Sequence, residues 1–262
     1  MATCYRHPSR ETGVSCSSCG RPICPDCMTP TPVGMRCPEC AKQRTKVQTM
    51  ASTRSEPRVT VAIIIACAVL FLGTNGFSGG SGKLWNDLLL YGPAIDIGHD
   101  YWRLVTSGFL HAGPIHILFN MYLLWILGNL LEPTLGSSRF AALYFTALLA
   151  GACGALVVDP NSATVGASGA VFGLMGAAAV ELRSRGVNPF KTDIGFLIVI
   201  NLILSFAISH ISVGGHVGGL IGGVLVGIAF DVADRRRMPA LGYVACLVLS
   251  AIAVVGALQA AA

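Results

Sequence analysis

From residue 59 onward the chain is a succession of apolar runs, most of them separated by short polar hinges. A helix that crosses a bilayer needs about 20 mostly apolar residues. Runs of that kind fall at 59–78, 112–131, 139–158, 167–183, 193–211, 214–231 and 240–260, and they predict seven spanning helices. Residues 79–111 break the rhythm with amphipathic stretches carrying Trp85, Tyr91, Tyr101 and Trp102, aromatic residues suited to the lipid interface. That segment is expected to form a structural collar around something buried. Before residue 59 the pattern is different: residues 1–42 are polar and Cys-rich, and 43–58 show no apolar period. The expected organisation is a small module over 1–42, a basic juxtamembrane linker over 43–58 and a membrane domain over 59–262. With the first apolar run starting only near Val59, no signal peptide is expected.

Charge sharpens this division. Only 12% of residues are charged, about half the share of a soluble globular domain, which excludes an ordinary water-soluble enzyme. Residues 1–58 hold nine of the 18 Lys and Arg but four of the 13 Asp and Glu. Threading the seven runs with the N-terminus in the cytoplasm leaves 16 of the 18 basic residues on the cytoplasmic side and only Lys83 and Arg103 opposite. The N-terminus is therefore expected in the cytoplasm of a multi-pass cell-membrane protein, and the C-terminus outside.

Seven of the ten Cys lie within residues 4–40, and with His7 they form four pairs, each with two residues between its members: Cys4 and His7, Cys16 and Cys19, Cys24 and Cys27, Cys37 and Cys40. An odd number of thiols cannot be fully paired as disulfides, and a cytoplasmic address disfavours disulfides in any case. Eight ligands serve two tetrahedral zinc ions, which makes two structural zincs the expected cofactors. Sequential sharing (first pair with second, third with fourth) and interleaved sharing (first with third, second with fourth) both satisfy the count. The short gap between Cys19 and Cys24 ties the middle pairs closely, as interleaving would. The segment resembles a B-box-type zinc finger, which adds support to that arrangement. Its charge is basic, but Tyr5 is the only aromatic before Phe71. No nucleic-acid partner is expected, and a cytoplasmic protein partner fits better.

Polar groups inside hydrocarbon are costly and mark function by default. His116 and Asn120 stand four apart in the second run, on one helix face, with His111 at its mouth. Ser168 sits in Gly166-Ala167-Ser168-Gly169 at the start of the fourth run, where free N–H groups of a helix N-terminus meet a developing anion. His216 opens the sixth. In the threading above, these runs begin on the extracytoplasmic side, so all five residues share the outer half of the membrane. Gly215, Gly219, Gly223 and Gly227 form a stripe in the sixth run, answered by Gly169, Gly173 and Gly176 in the fourth. Facing stripes pack two helices closely and would bring His216 to Ser168. A serine beside a histidine base, with a donor pair for an oxyanion, is a complete nucleophilic apparatus. No Asp or Glu falls in the outer halves of these runs, so a dyad is expected and not a triad.

These residues resemble the rhomboid family of intramembrane serine proteases over roughly 99–231. The resemblance rests on Trp102-Arg103, on His111-Ala-Gly-Pro-Ile-His116-Ile-Leu-Phe-Asn120, on Glu132 and Gly136, on Gly166-Ala-Ser168-Gly169 and on Gly215-His216 with Gly219 and Gly223. It implies Ser168 as nucleophile, His216 as general base, and His116 and Asn120 with the Ser168 backbone N–H as the oxyanion hole. His111 looks like the additional histidine of the family. Phe172 takes the place where some relatives carry a Tyr stacked on the catalytic imidazole. The resemblance also implies an all-α polytopic fold, with a six-helix core plus one C-terminal transmembrane helix. The N-terminal module resembles the extension of actinobacterial members. The expected function is a serine endopeptidase that works in the lipid bilayer and cleaves transmembrane protein substrates near the extracytoplasmic face. Two other functions fit part of the pattern. A catalytically inactive rhomboid-like client-binding protein would lack the serine or the histidine. A transporter would need polar steps in the inner half of the membrane as well.

Overall fold

The computed structural model describes residues 2–42, 56–207 and 211–262, and the chain divides into two compact units, 1–54 and 55–262. Most of the predicted linker, 43–55, and the end of the fifth predicted run, 208–210, lie outside the described residues.

The N-terminal unit is too short to bury an apolar core of ordinary size. Its interior is six buried cysteines packed around Ile23. Two short antiparallel ladders frame them, β1 (Ala2–Thr3) with β2 (Glu11–Thr12) and β3 (Thr29–Thr31) with β4 (Gly34–Arg36), followed by one helical turn, α1 (Pro38–Lys42). The spacing of the cysteines gives no sign of these strands. Within the pairs the chain turns sharply: the His7 amide donates to the Cys4 carbonyl at 3.1 Å and the Cys27 amide to that of Cys24 at 2.8 Å.

The second unit is helical. Seven long helices follow the seven apolar runs: α2 (Arg58–Gly73), then, after a loop segment, α6 (Pro114–Leu135), α7 (Ser137–Val158), α8 (Ser168–Ser184), α9 (Asp193–Ala207), α10 (Val213–Arg235) and α11 (Pro239–Ala261). Among the described residues, four of them, α6, α7, α10 and α11, are long and apolar enough to cross a membrane on their own. The others are shorter. The first ends five residues before its apolar run does, because Asn75, with a left-handed φ of 53°, turns the chain. The fourth, α8, begins only at Ser168, and from Gly169 to Ala178 every residue is buried by neighbouring helices. Irregular backbone ahead of a helix at this depth is tolerated where protein covers it.

The start of α2 is held by a buried carboxylate. Glu132, on α6, accepts from the Val59 and Thr60 amides at 2.9 Å each, from the Thr60 hydroxyl at 2.7 Å and from Ser137 at 2.6 Å. Free N–H groups at a helix N-terminus need such partners.

The segment between α2 and α6 folds as three short helices, α3 (Lys83–Leu88), α4 (Gly92–Asp96) and α5 (Arg103–Thr106). Arg103 is buried and organises it. Its guanidinium holds Asp100 Oδ2 at 2.8 and 3.0 Å and donates to the carbonyls of Asn86 and Leu89 at 2.5 and 2.9 Å. The middle and the end of this collar reach the chain ahead of Ser168: Leu90 and Thr164 exchange backbone hydrogen bonds at 3.0 and 2.9 Å, and the Gly166 amide donates to the Ser107 carbonyl at 3.0 Å.

Candidate functional site

The crossing of α8 and α10 sets the centre of the site. A Cβ on Gly219 would stand 1.9 Å from the Gly169 carbonyl oxygen, and one on Gly223 would stand 1.9 Å from that of Gly173. Only glycine allows backbones this close. The stripes predicted from the sequence therefore do face each other. A second set of contacts lies outside those stripes: Gly214 and Gly218 of α10 press on Gly154 and Ala150 of α7, with Cβ positions 2.2 and 2.5 Å from backbone oxygens. At the end nearest Ser168 all three helices meet, since a Cβ on Gly151 would lie 3.1 Å from both the Gly169 Cα and the Gly215 carbonyl oxygen. The signal for this was present in Gly151 and Gly154, one and four residues after Ala150, but it reads as ordinary small-residue content.

Ser168 is the first residue of α8 and half-buried. His216 lies in the first turn of α10, which is capped by Ser212 accepting from the Gly215 amide at 3.1 Å. The Phe172 ring, one turn along α8 from Ser168, stacks on the His216 imidazole with centroids 4.2 Å apart and planes 22° apart. On its other edge, His216 Nδ1 lies 2.5 Å from the hydroxyl of Ser205, a buried residue of α9. That residue is absent from the sequence-derived site.

His116 and Asn120 sit on the first two turns of α6. His116 Nδ1 accepts from the Ala112 amide at 3.3 Å, so Nε2 is the protonated nitrogen. Nε2 points at Gly166, where a Cβ would be 2.8 Å from it and 3.6 Å from Ser168 Oγ. Gly166 has φ 129°, a conformation that favours glycine. Asn120 is buried and uses one amide hydrogen on the His116 carbonyl at 2.9 Å, leaving the other. His111 is fully buried and meets His116 edge-on, ring centroids 5.1 Å apart.

In the N-terminal unit the eight sequence-predicted ligands gather as Cys4, His7, Cys24 and Cys27, and as Cys16, Cys19, Cys37 and Cys40, with each set of donor atoms within 4.8 Å of one another. The pairs are interleaved. Nδ1 of His7 lies 3.3 and 3.4 Å from the sulfurs of Cys24 and Cys27. Backbone amides support the sulfurs: that of Cys37 donates to Cys16 Sγ at 3.2 Å and that of Cys40 to Cys37 Sγ at 3.4 Å. The Cys37 amide lowers the Cys16 thiol to about 6, while burial and the neighbouring Cys4 and Cys24 push Cys27 up to about 11. Crowded sulfurs cannot all ionise without a cation, and thiolates with an imidazole are a donor set that could hold a metal ion.

Residues 98–231 match the family model of the rhomboid domain. The chain is 32% identical over 187 residues to the rhomboid protease GluP of Bacillus subtilis, covering 67% of this chain and 35% of that protein. It is 36% identical over 139 residues to YdcA of the same bacterium, covering 51% and 69%. It is also 30% identical over 112 residues to the inactive RHOMBOID-like protein 8 of Arabidopsis thaliana, covering 43% and 32%. The helical bundle with its serine-bearing α8 is that of a multi-pass membrane protein of a protease family. The chain belongs to the rhomboid family, and it spans about a third of the length of GluP.

Proposed function

We propose that the chain is an intramembrane serine endopeptidase that cleaves transmembrane protein substrates by a Ser168–His216 dyad. The stacking of Phe172 on His216, one helical turn along α8 from Ser168, carries this reading. In the reaction the Ser168 hydroxyl oxygen bonds to the scissile carbonyl carbon while its proton passes to His216 Nε2. The oxyanion that forms would be met by His116 Nε2–H, by the free amide hydrogen of Asn120 and by the Ser168 backbone N–H at the start of α8. The imidazolium returns the proton to the leaving amine, and water then releases the acyl group. The substrate helix must unwind locally, because an intact helix hides its carbonyls in hydrogen bonds.

The basic residues support an orientation with the N-terminus cytoplasmic and the site opening outward. We propose zinc for both N-terminal clusters, Cys4, His7, Cys24 and Cys27 holding one ion and Cys16, Cys19, Cys37 and Cys40 the other. Zinc there would fix the chain's turns and supply no catalytic chemistry.

The second reading is the inactive client-binding relative, favoured by the similarity to an inactive family member. A fluorophosphonate probe separates the two. The protease is labelled at Ser168 and cleaves a transmembrane substrate, whereas a folded, inserted protein that does neither is the inactive relative.

A further inference from the structure

The Phe172 stack fixes the plane of the His216 imidazole but cannot fix which way round it lies. Turning the ring by 180° about its bond to Cβ exchanges Nδ1 with Cδ2 and Nε2 with Cε1, and the flat contact with Phe172 stays much the same. Something else must choose the face. Ser205 stands at that edge: its hydroxyl is 2.5 Å from Nδ1 and 2.6 Å from the Asn201 carbonyl oxygen, one turn back on α9. Ser205 is 2% exposed and His216 8%, so neither group turns to bulk water for its hydrogen bonds.

A hydroxyl has one proton to give. Serines in apolar helices give it to the carbonyl four residues back, and here that carbonyl is in place. With the Ser205 hydroxyl donating to the Asn201 carbonyl, a lone pair of Ser205 Oγ faces Nδ1, and the nitrogen there must be the donor. The opposite arrangement, Ser205 donating to Nδ1, would put the ring's proton on Nε2 and leave the imidazole without a lone pair for Ser168. It would also leave the Ser205 hydroxyl facing the wrong way once the ring is protonated, because an imidazolium donates from both nitrogens and Ser205 would then have to turn.

We infer that Ser205 is a positioning residue, accepting from His216 Nδ1–H and donating its own hydrogen bond to the Asn201 carbonyl, so that Nε2 is held deprotonated toward Ser168. This rests on the protease reading. It gives the dyad the orienting partner that a carboxylate supplies in triads, from a neutral hydroxyl that carries no charge into the membrane domain. Ser205 transfers no proton in the reaction: the Ser168 proton goes to Nε2 and from there to the leaving amine, and the bond at Nδ1 persists throughout.

The test uses the full-length protein in lipid vesicles, with Ser205→Ala and Ser205→Thr. Three readouts are taken: the rate of Ser168 labelling by a fluorophosphonate, kcat and KM on a transmembrane substrate, and the nitrogen NMR signals of 15N-labelled histidine. Ser205→Ala is expected to slow labelling and kcat by about 10²-fold, the usual cost of a misplaced reacting group, with KM unchanged. Ser205→Thr keeps the hydroxyl and is expected to stay within a few-fold of wild type. The wild-type spectrum should contain an imidazole protonated at Nδ1 that is lost or shifted in Ser205→Ala. Wild type and Ser205→Ala labelling equally fast, or a His216 protonated at Nε2 in the resting wild type, would overturn the inference while leaving the dyad standing. A wild type that is not labelled at all would remove the protease reading and this inference with it.

Discussion

Gly219 faces the carbonyl of Gly169 so closely that a side chain on it would begin 1.9 Å from the oxygen. Ser168 and His216 each lie within a turn of this contact, so the approach of two backbones sets the distance between the proposed nucleophile and its proposed base. Gly219→Ala should therefore push α8 and α10 apart. Overpacking of this kind costs about 1–3 kcal/mol, read as a lowered unfolding midpoint, and fluorophosphonate labelling should fall at least tenfold. Gly227→Ala, whose Cβ would be 3.2 Å from the nearest atom, should be milder on both measures. Equal effects at the two positions would mean that the crossing does not set the site.

Ser168→Ala and His216→Ala should each abolish cleavage of a transmembrane substrate. The double variant should be no worse than either, because residues that act as one unit are strongly non-additive. Asn120→Ala should retain some activity, since losing one oxyanion donor costs about 10²–10³ in rate and His116 Nε2–H remains. His99, bonded to Tyr101 at 3.1 Å on the exposed loop, is the control, and His99→Ala should stay within a few-fold of wild type. Cleavage by Ser168→Ala would identify a different nucleophile.

Interleaved ligand sets make a prediction that sequential ones do not. Replacing Cys16 and Cys37 together removes ligands from one cluster only, so metal analysis should find one zinc per chain where wild type holds two. Under sequential pairing both sites would be damaged and the metal lost. Because structural zinc holds small modules together, a chelator should raise amide exchange across residues 2–42 in the wild type.

Glu132→Ala should lower the unfolding midpoint, as it orphans the Val59 and Thr60 amides that the carboxylate receives at the buried start of α2. Leaving buried donors unsatisfied costs about 1–3 kcal/mol for each group. Glu132→Gln, which keeps one acceptor oxygen, should fall between. A midpoint unchanged in Glu132→Ala would show that α2 is held by packing alone.

Orientation is checked with a membrane-impermeant thiol reagent on intact cells. A cysteine at Val187 should be shielded and one at Ser81 labelled above the wild-type background. The reverse pattern would invert the placement of the site.

The apolar runs, the spacing of eight metal-ligand candidates and the ordered Ser, His and Asn positions were legible along the chain, because each rests on local periodicity or on residues too costly in their surroundings to be accidental. Facing glycine stripes could be proposed from i, i+4 spacing alone. Three things could not be read that way. Ligand pairing was open because both pairings satisfy the same count, and only the folded turns bring Cys4 and His7 to Cys24 and Cys27 and Cys16 and Cys19 to Cys37 and Cys40. The third partner at the crossing, Gly151 and Gly154 of α7, is a contact between helices whose rotation about their own axes no single run specifies. Ser205 is one hydroxyl in an apolar helix, indistinguishable along the chain from a serine bonded to its own backbone, and it does make that bond. Its second partner, the imidazole eleven residues on, comes within 2.5 Å only after α9 packs beside the start of α10. Local pattern determined which residues form helices and carry chemistry, and the packing of those helices decided which atoms of them meet.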